Sequence, residues 1–390
     1  MLKVALRPNL MYPTYLIIWT FLRKIITILI SEFFQFKGSI IYTFLMFLGE
    51  LSGGYIFYRH QKKYTEKTGE DESKAKRKFS FVSRKNELLR ADGLITVYFL
   101  IFMTAFFDFF EFILSTYYIS KIHKISGTLQ LRLGGILIIV SSLLYWFLLK
   151  NQIFKHQVVS IIIIGICFIL LIISEYFFHT IDGIITYTDL TLAIIFSVLS
   201  HVSIAFNNTI EKYLIDFNFI NPFLILICQG IIGLIFTIIC ATVETPFQAL
   251  TKVFETNSAG MSTLFVFLLL FYFIFGALKN IYRMQTILMF TPMNKHLADI
   301  MINPLYVIYY FSIGSDFIKD GNRDYLYFFT NIILLIIFDI CGLIFNEFLI
   351  LFCCSLDHNT YESIKERASR LEEMENMEDN EKKETNDDDI

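Results

Sequence analysis

The 390-residue chain is poor in charge: 18% of its residues are Asp, Glu, Lys or Arg, against roughly 25% in soluble domains. Those charges are clumped in residues 59–90 and in the last 35 residues, leaving long stretches almost bare. That distribution excludes one large soluble core and points to a membrane. Cysteine is equally uninformative for metal or disulfide chemistry. The six cysteines form no CxxC and no Cys/His cluster, which excludes a zinc ribbon and a disulfide framework. Cys167, Cys228, Cys240 and Cys341 lie in apolar runs and read as inert buried thiols. Cys353 and Cys354 follow the last apolar run, where palmitoylation is the alternative. The seven histidines are scattered, and GxSxG, HExxH and P-loop patterns are all missing. An enzyme is therefore not expected, and neither a metal nor a cofactor is implied. A membrane-embedded enzyme would need a polar cluster with nucleophile or metal geometry, and the sequence offers none. No nucleic-acid partner is expected, and no cleavable signal peptide is evident, because the apolar run after the short basic start has the length of a first span.

What the chain has in quantity is apolar sequence: 55% hydrophobic residues and a mean hydropathy of +0.57. Runs of spanning length recur ten times. They are about Met11–Ile30 (interrupted by Arg23-Lys24), Ser39–Tyr58, within Gly93–Ser120, Gly127–Leu149, Gln157–Phe178, about Asp189–Phe206, Pro222–Val243, Met261–Arg283, Ala298–Ile313 and Leu326–Phe352. The expected fold is an all-α polytopic membrane protein. Its ten transmembrane helices form a 5+5 inverted repeat, because a repeat unit with an odd number of spans inverts its second copy. The transporter domain is residues 1–352, with halves at about 10–178 and 189–352. A loop with Pro246 and little charge joins the seventh and eighth spans.

Two hydrophilic segments flank or interrupt this unit. The loop 59–90 carries eleven Lys/Arg against five Asp/Glu and is placed in the cytoplasm by the positive-inside rule. Contact with anionic lipid is its secondary reading. Lys150, Lys155, Lys212, Lys279, Arg283 and Lys295 then fall on or near the same side, with Lys121 and Lys124 as exceptions. Both termini are expected to be cytoplasmic. Residues 353–390 form an acidic, mostly disordered tail; from 355 on, it has thirteen acidic and five basic residues. Ile364, Ala368, Leu371 and Met374 fit at most one amphipathic helix. The Asn207-Asn208-Thr209 triplet matches a glycosylation acceptor but sits at the cytoplasmic end of a span, so it is expected to be unused.

Charged residues inside apolar spans carry the functional information. Asp108 and Glu111 are three apart in the third span and share a helix face. Two such carboxylates suit proton coupling or capture of a cation; the alternative is a structural pair neutralised from another helix. Lys279, Asn280 and Arg283 near the end of the eighth span match them in position if the halves are inverted copies. They suit an anionic substrate or an ion-pair gate against the carboxylates; the alternative is snorkelling to the interface. The fourth and ninth spans begin polar, with Gln130, Arg132 and Gly134-Gly135 in one and Lys295, His296, Asp299 and Asn303 in the other. Helix N-termini and an arginine favour an anion there, and Pro304 breaks the ninth span. Glu50 lies among glycines that suggest close helix packing more than chemistry.

At these residues the chain resembles the drug/metabolite transporter superfamily, and within it the F-type branch of the solute carrier 35 (nucleotide-sugar-transporter-like) proteins. MetPheLeuGlyGlu at 46–50 is similar to the family's second helix, and Asp108 to an acidic residue in its third. ThrLeuGln at 128–130 with Arg132 and Gly134 resembles the polar start of the fourth helix. GluLysTyrLeu at 211–214, followed by AsnPro at 221–222, resembles the end of the sixth. Lys295 and Asp299 match a basic-xxx-acidic pair opening the ninth. Two positions depart: Leu133 intervenes between Arg132 and the glycine, and Ile302 stands where a second arginine is expected. Residues that would read an anionic substrate are thus partly missing, so the resemblance alone does not fix nucleotide-sugar specificity. The resemblance implies alternating access between two five-helix halves, with the third, fourth, eighth and ninth helices around a central site.

The expected function is a secondary active transporter or exchanger of a small polar metabolite: nucleotide-sugar-like, nucleotide, amino acid or organic cation. Asp108 and Glu111 are the coupling-ion or cation candidates. Arg132, Lys279 and Lys295 are the anion or gating candidates, with Gln130 and Asn280 as polar contacts, and Asp299 belongs to the same substrate- or ion-binding set. The partners are a small-molecule substrate and the lipid bilayer, with a homodimer compatible, and the location an endomembrane (Golgi, ER or lysosome/vacuole). The alternative is a non-transporting membrane scaffold or receptor whose tail recruits partners, with its intramembrane charges mutually paired.

Overall fold

The computed structural model describes residues 2–4, 11–34, 36, 39–67, 93–118, 129–150, 152–180, 186–243, 246–313 and 322–351. The loop beyond residue 67, Lys121, Lys124, Cys353, Cys354 and the acidic tail lie outside the described residues. The helices are α1 (Met11–Phe34), α2 (Ser39–Lys67), α3 (Leu94–Phe112, running on as a π-helical turn Ile113–Tyr118), α4 (Leu129–Arg132), α5 (Ile136–Leu148), α6 (Lys155–Thr180), α7 (Tyr187–Asp216), α8 (Pro222–Val243), α9 (Pro246–Thr256), α10 (Ala259–Met289), α11 (Pro292–Ile300), α12 (Asn303–Ile313) and α13 (Asn322–Phe345). Two three-residue strands, β1 (Leu2–Val4) and β2 (Leu349–Leu351), pair antiparallel with Leu2 opposite Leu351.

Among the described residues, eight helices are long and apolar enough to cross a membrane. Their outward faces are apolar at helical spacing. On α6, Ile162, Ile166, Ile169 and Ile173 are each more than half exposed, one stripe at i, i+4, i+7 and i+11. Ile231, Ile235 and Ile238 repeat the pattern on α8, and Phe267, Leu270, Phe271 and Ile274 on α10. The interior, by contrast, holds Glu50, Asp108, Arg132, Glu175, Glu211, Arg283 and Lys295, all buried. Charge inside and isoleucine outside is costly in water and natural in lipid. The chain is therefore a polytopic α-helical membrane protein.

Two of the ten expected spans are broken, the ninth where Pro304 is expected to break it. In place of the uninterrupted span Gly127–Leu149, α4 passes through a 3-10 turn at Leu133–Gly135 into the short α5. In place of the span Ala298–Ile313, α11 and α12 meet at a break over Met301-Ile302. Pro304 accounts for that break, since it has no N–H to continue the helix and restricts the residue before it. The loop with Pro246 is a helix, α9, whose Leu250 and Val253 pack on the cluster around Phe265; its short apolar face carries too little hydrophobicity to stand out in the sequence.

Helix packing follows a regular scheme. α1 packs on α10 as α7 packs on α3; α2 packs on α10 as α8 packs on α3; α1 meets α11 as α7 meets α5. α2 packs on α8, and α6 on α13. The closest approaches use glycine. A Cβ on Gly230 would come within 2.6 Å of the Leu51 backbone nitrogen, and one on Gly49 within 3.2 Å of the Ala277 nitrogen, so α2 is pressed between α8 and α10. Gly134 and Gly135 serve side chains instead: Ile300 and Asn303 lie against the first, and the ring of Phe338 against the second.

Candidate functional site

The polar stripes of seven helices converge on one cavity of about 330 Å³. α1 contributes Thr20, Arg23, Lys24 and Thr27, one face of a helix at i, i+3, i+4 and i+7. α3 contributes Asp108, Glu111 and Ser115 by the same spacing, and α10 contributes Tyr272, Lys279, Asn280 and Arg283. Tyr42 and Glu50 come from α2, His201 and Asn207 from α7, Lys295 and Asp299 from α11, and Asn303 and Tyr306 from α12.

The direction of α3 against α10 sets the layers of the site. Val97 and Ile101, early in α3, cluster with Met284 and Ile287, late in α10. Phe112, at the end of α3, clusters with Phe265, Leu268 and Tyr272, early in α10. The two helices therefore run antiparallel, and their polar residues meet in order between two apolar ends.

The first layer is centred on Arg283. Its Nη2 donates to Gln229 Oε1 at 3.1 Å and lies 3.2 Å from Glu211 Oε1 and 3.5 Å from Glu50 Oε1; its Nη1 is 3.7 Å from Asp108 Oδ1. Gln229 Nε2 donates in turn to Glu211 Oε1 at 2.7 Å and to Asn207 Oδ1 at 3.1 Å. The cluster holds three carboxyl groups to one guanidinium. The cluster ties α2, α3, α7, α8 and α10 together, and the apolar side chains around Ile101 and Ile287 lie beyond it.

One turn further along both helices, Glu111 and Lys279 form the second layer. Each lies in the other's electrostatic field, yet neither makes a hydrogen bond or an ion pair among the described residues. Asn280 beside Lys279 is 3% exposed, and its amide Nδ2 has no partner. The remaining cations are held individually. The Arg23 guanidinium stands over the Tyr272 ring at 5.5 Å and Lys24 Nζ over the Tyr306 ring at 4.6 Å, both cation–π arrangements. Lys295 Nζ pairs with Asp299 Oδ2 at 2.7 Å, one turn apart on α11.

The cavity thus unites Asp108, Glu111, Lys279, Asn280, Lys295 and Asp299 of the residues singled out in the sequence. It does not include Arg132. That side chain is 0% exposed and belongs to a separate buried unit: Nε lies 2.9 Å from Glu175 Oε1, Nη2 donates to Oε2 at 3.3 Å, and the guanidinium stands 5.3 Å over the Tyr327 ring. The Tyr327 hydroxyl also donates to Glu175 Oε1, at 2.9 Å. The arginine's charge is neutralised there, between α4, α6 and α13, so it is not a contact for a solute in the cavity. The side chain of Gln130 lies outside the described residues.

Several residues of the site were not given this role by the sequence. Arg23 and Lys24 read as an interruption of the first span, and Glu50 as a packing position. Glu211 read as the end of a span; in the structure it enters the Arg283 cluster, and its neighbour Lys212 donates to the carbonyls of Ile287 and Leu288 at 2.9 and 3.4 Å, capping α10. Asn207 of the glycosylation triplet is buried and accepts from Gln229, so it is closed to modification in this conformation. The signal available for these residues was their charge within apolar sequence. Comparison with known proteins adds no assignment: the chain matches no protein-family model and no curated protein.

Proposed function

We propose that this protein is a secondary transporter that moves a small polar metabolite by alternating access. One observation carries this reading. A cavity lined by charged side chains lies at the centre of a bundle whose outer surface is apolar. Charges at that depth are costly unless they face water or a solute, and both halves of the chain supply them.

The packing supports two inverted five-helix halves. Exchanging α1 with α7, α2 with α8, α3 with α10, α4–α5 with α11–α12, and α6 with α13 maps the main helix contacts onto themselves. The two broken helices occupy equivalent places, as discontinuous helices do beside transporter sites. Counted with them, the described residues give ten spans on this reading. The β1–β2 pair supports an even number of crossings. Residues 5–10, which join β1 to α1, reach at most about 25 Å when fully extended, less than the ~30 Å hydrocarbon core. The start of α1 and the end of α13 then share one side, which fits two cytoplasmic ends.

On this reading the Arg283 cluster and the apolar residues around Ile287 close the cytoplasmic end of the path. Movement of one half against the other would part α3 from α10 and open it. The resemblance to the solute carrier 35 group of drug/metabolite transporters agrees with this arrangement, and an endomembrane is the proposed location. The test is uptake by purified full-length protein in proteoliposomes, across nucleotide sugars, nucleotides, amino acids and organic cations, with and without a proton gradient. Saturable uptake of one class supports a carrier. A folded protein that takes up none of them contradicts it.

A further inference from the structure

We propose that the site is built for a zwitterion: a small solute bearing one carboxylate and one ammonium, of the amino-acid type. This rests on the transporter reading and names the substrate class of the same cavity.

The first support is what is left uncommitted. Arg283 is surrounded by acceptors, Lys295 is paired with Asp299, and Arg23 and Lys24 lie over tyrosine rings. Glu111 and Lys279 have not even a ring partner: one of each sign, both face the cavity and neither is in an ion pair or hydrogen bond among the described residues, whereas Arg23, whose Nη1 also has no hydrogen-bond partner, lies over Tyr272. A site for a cation would leave only acid exposed, and a site for an anion only base. A site that leaves one of each in the same layer, too far apart to bond, matches a ligand that spans them. Asn280 adds a buried, unpartnered N–H next to Lys279, so a carboxylate there meets two donors. On α3, an ammonium meets Glu111 with Asp108 three residues before it on the same face.

The second support is charge balance. Five cationic side chains line the cavity against four carboxylates, and Glu211, bound to Arg283, brings the carboxylates to five. A balanced, bipolar lining favours a solute that is neutral overall and bipolar, and opposes one with several charges of one sign. The third support is size. About 330 Å³ is near the small end of ligand pockets. It suits an amino acid better than a nucleotide diphosphate.

The experiment uses the purified full-length protein and three matched sets of probes. The zwitterions are L-alanine, L-leucine, L-glutamine, β-alanine and γ-aminobutyrate, which vary the distance between the charges. Each is accompanied by its decarboxylated amine and its deaminated acid. Binding is read by ligand-induced thermal shift in detergent, and transport by uptake into proteoliposomes. At least one zwitterion is expected to bind at least 10-fold more tightly than its amine or its acid. Glu111→Gln should remove that preference over the acid, and Lys279→Met the preference over the amine. Amine or acid binding within about 3-fold of the best zwitterion overturns the proposal, as does the absence of binding by every probe. The comparison within wild-type protein decides the matter even if a variant misfolds. Zwitterion binding without uptake upholds the site and overturns transport. Uptake of a nucleotide sugar with no zwitterion binding upholds transport and overturns this proposal.

Discussion

Arg283 of α10 and Glu211 of α7 meet at 3.2 Å, joining two helices 72 positions apart in sequence at one end of a charged cavity. The pair is the centre of a cluster that also holds Glu50, Asp108 and Gln229, and each of these reaches Arg283 from a different helix. Removing the guanidinium leaves three carboxylates facing one another. Arg283→Met is expected to destabilise the protein by about 3–5 kcal/mol, the cost of breaking a buried pair from one side. A fall in the detergent unfolding temperature checks it, and an unchanged temperature would contradict the cluster's role.

Arg132 and Glu175 should behave as a self-contained structural pair. Arg132→Met and Glu175→Gln alone are each expected to cost about 3–5 kcal/mol, and the double variant less than the sum, because no charge is then left alone. A double-mutant cycle on unfolding measures this. The concentration dependence of uptake should not change in whatever fraction folds, since neither residue lines the cavity. A large shift there would return Arg132 to the binding site.

The contact of α2 with α8 depends on Gly230. Gly230→Ala puts a Cβ 2.6 Å from the Leu51 nitrogen, against backbone that cannot rotate away. The expected cost is about 1–3 kcal/mol from overpacking. Gly260→Ala, on α10 with nothing within 4 Å of an added Cβ, is the control and should be neutral or slightly stabilising.

Lys212 caps α10 through two carbonyls and is paired with Asp216 at 3.2 Å. Lys212→Met removes charged donors from the helix end and is expected to cost about 1.5–3 kcal/mol. Faster backbone hydrogen exchange over residues 284–289 would accompany it.

The membrane character and the position of most spans were legible because hydropathy along a helix is a local property: Pro222–Val243 is expected from sequence and found in the structure with the same bounds. The break in the ninth span was legible from Pro304, but the one in the fourth only as a polar start, since whether Gly134-Gly135 kinks a helix depends on Phe338 and Asn303 packing against it. Within the site, Asp108, Glu111 and Lys279 stood out as charge in apolar runs. Arg132 stood out for the same reason and belongs elsewhere, because its partner Glu175 lies 43 positions away at the far end of an otherwise apolar helix. Arg23 and Lys24 read as a flaw in a span because nothing near them in sequence announces Tyr272 and Tyr306. Pairing between distant helices was the missing information throughout.

The central claim is that one cavity opens to the two sides in turn. Counterflow tests it most directly. Proteoliposomes are preloaded with an unlabelled substrate found in the uptake panel and diluted into the same compound carrying label. Alternating access predicts a transient overshoot of label inside, raised by the internal load, and its loss in Lys279→Met. Label entry that ignores the internal load would contradict the account.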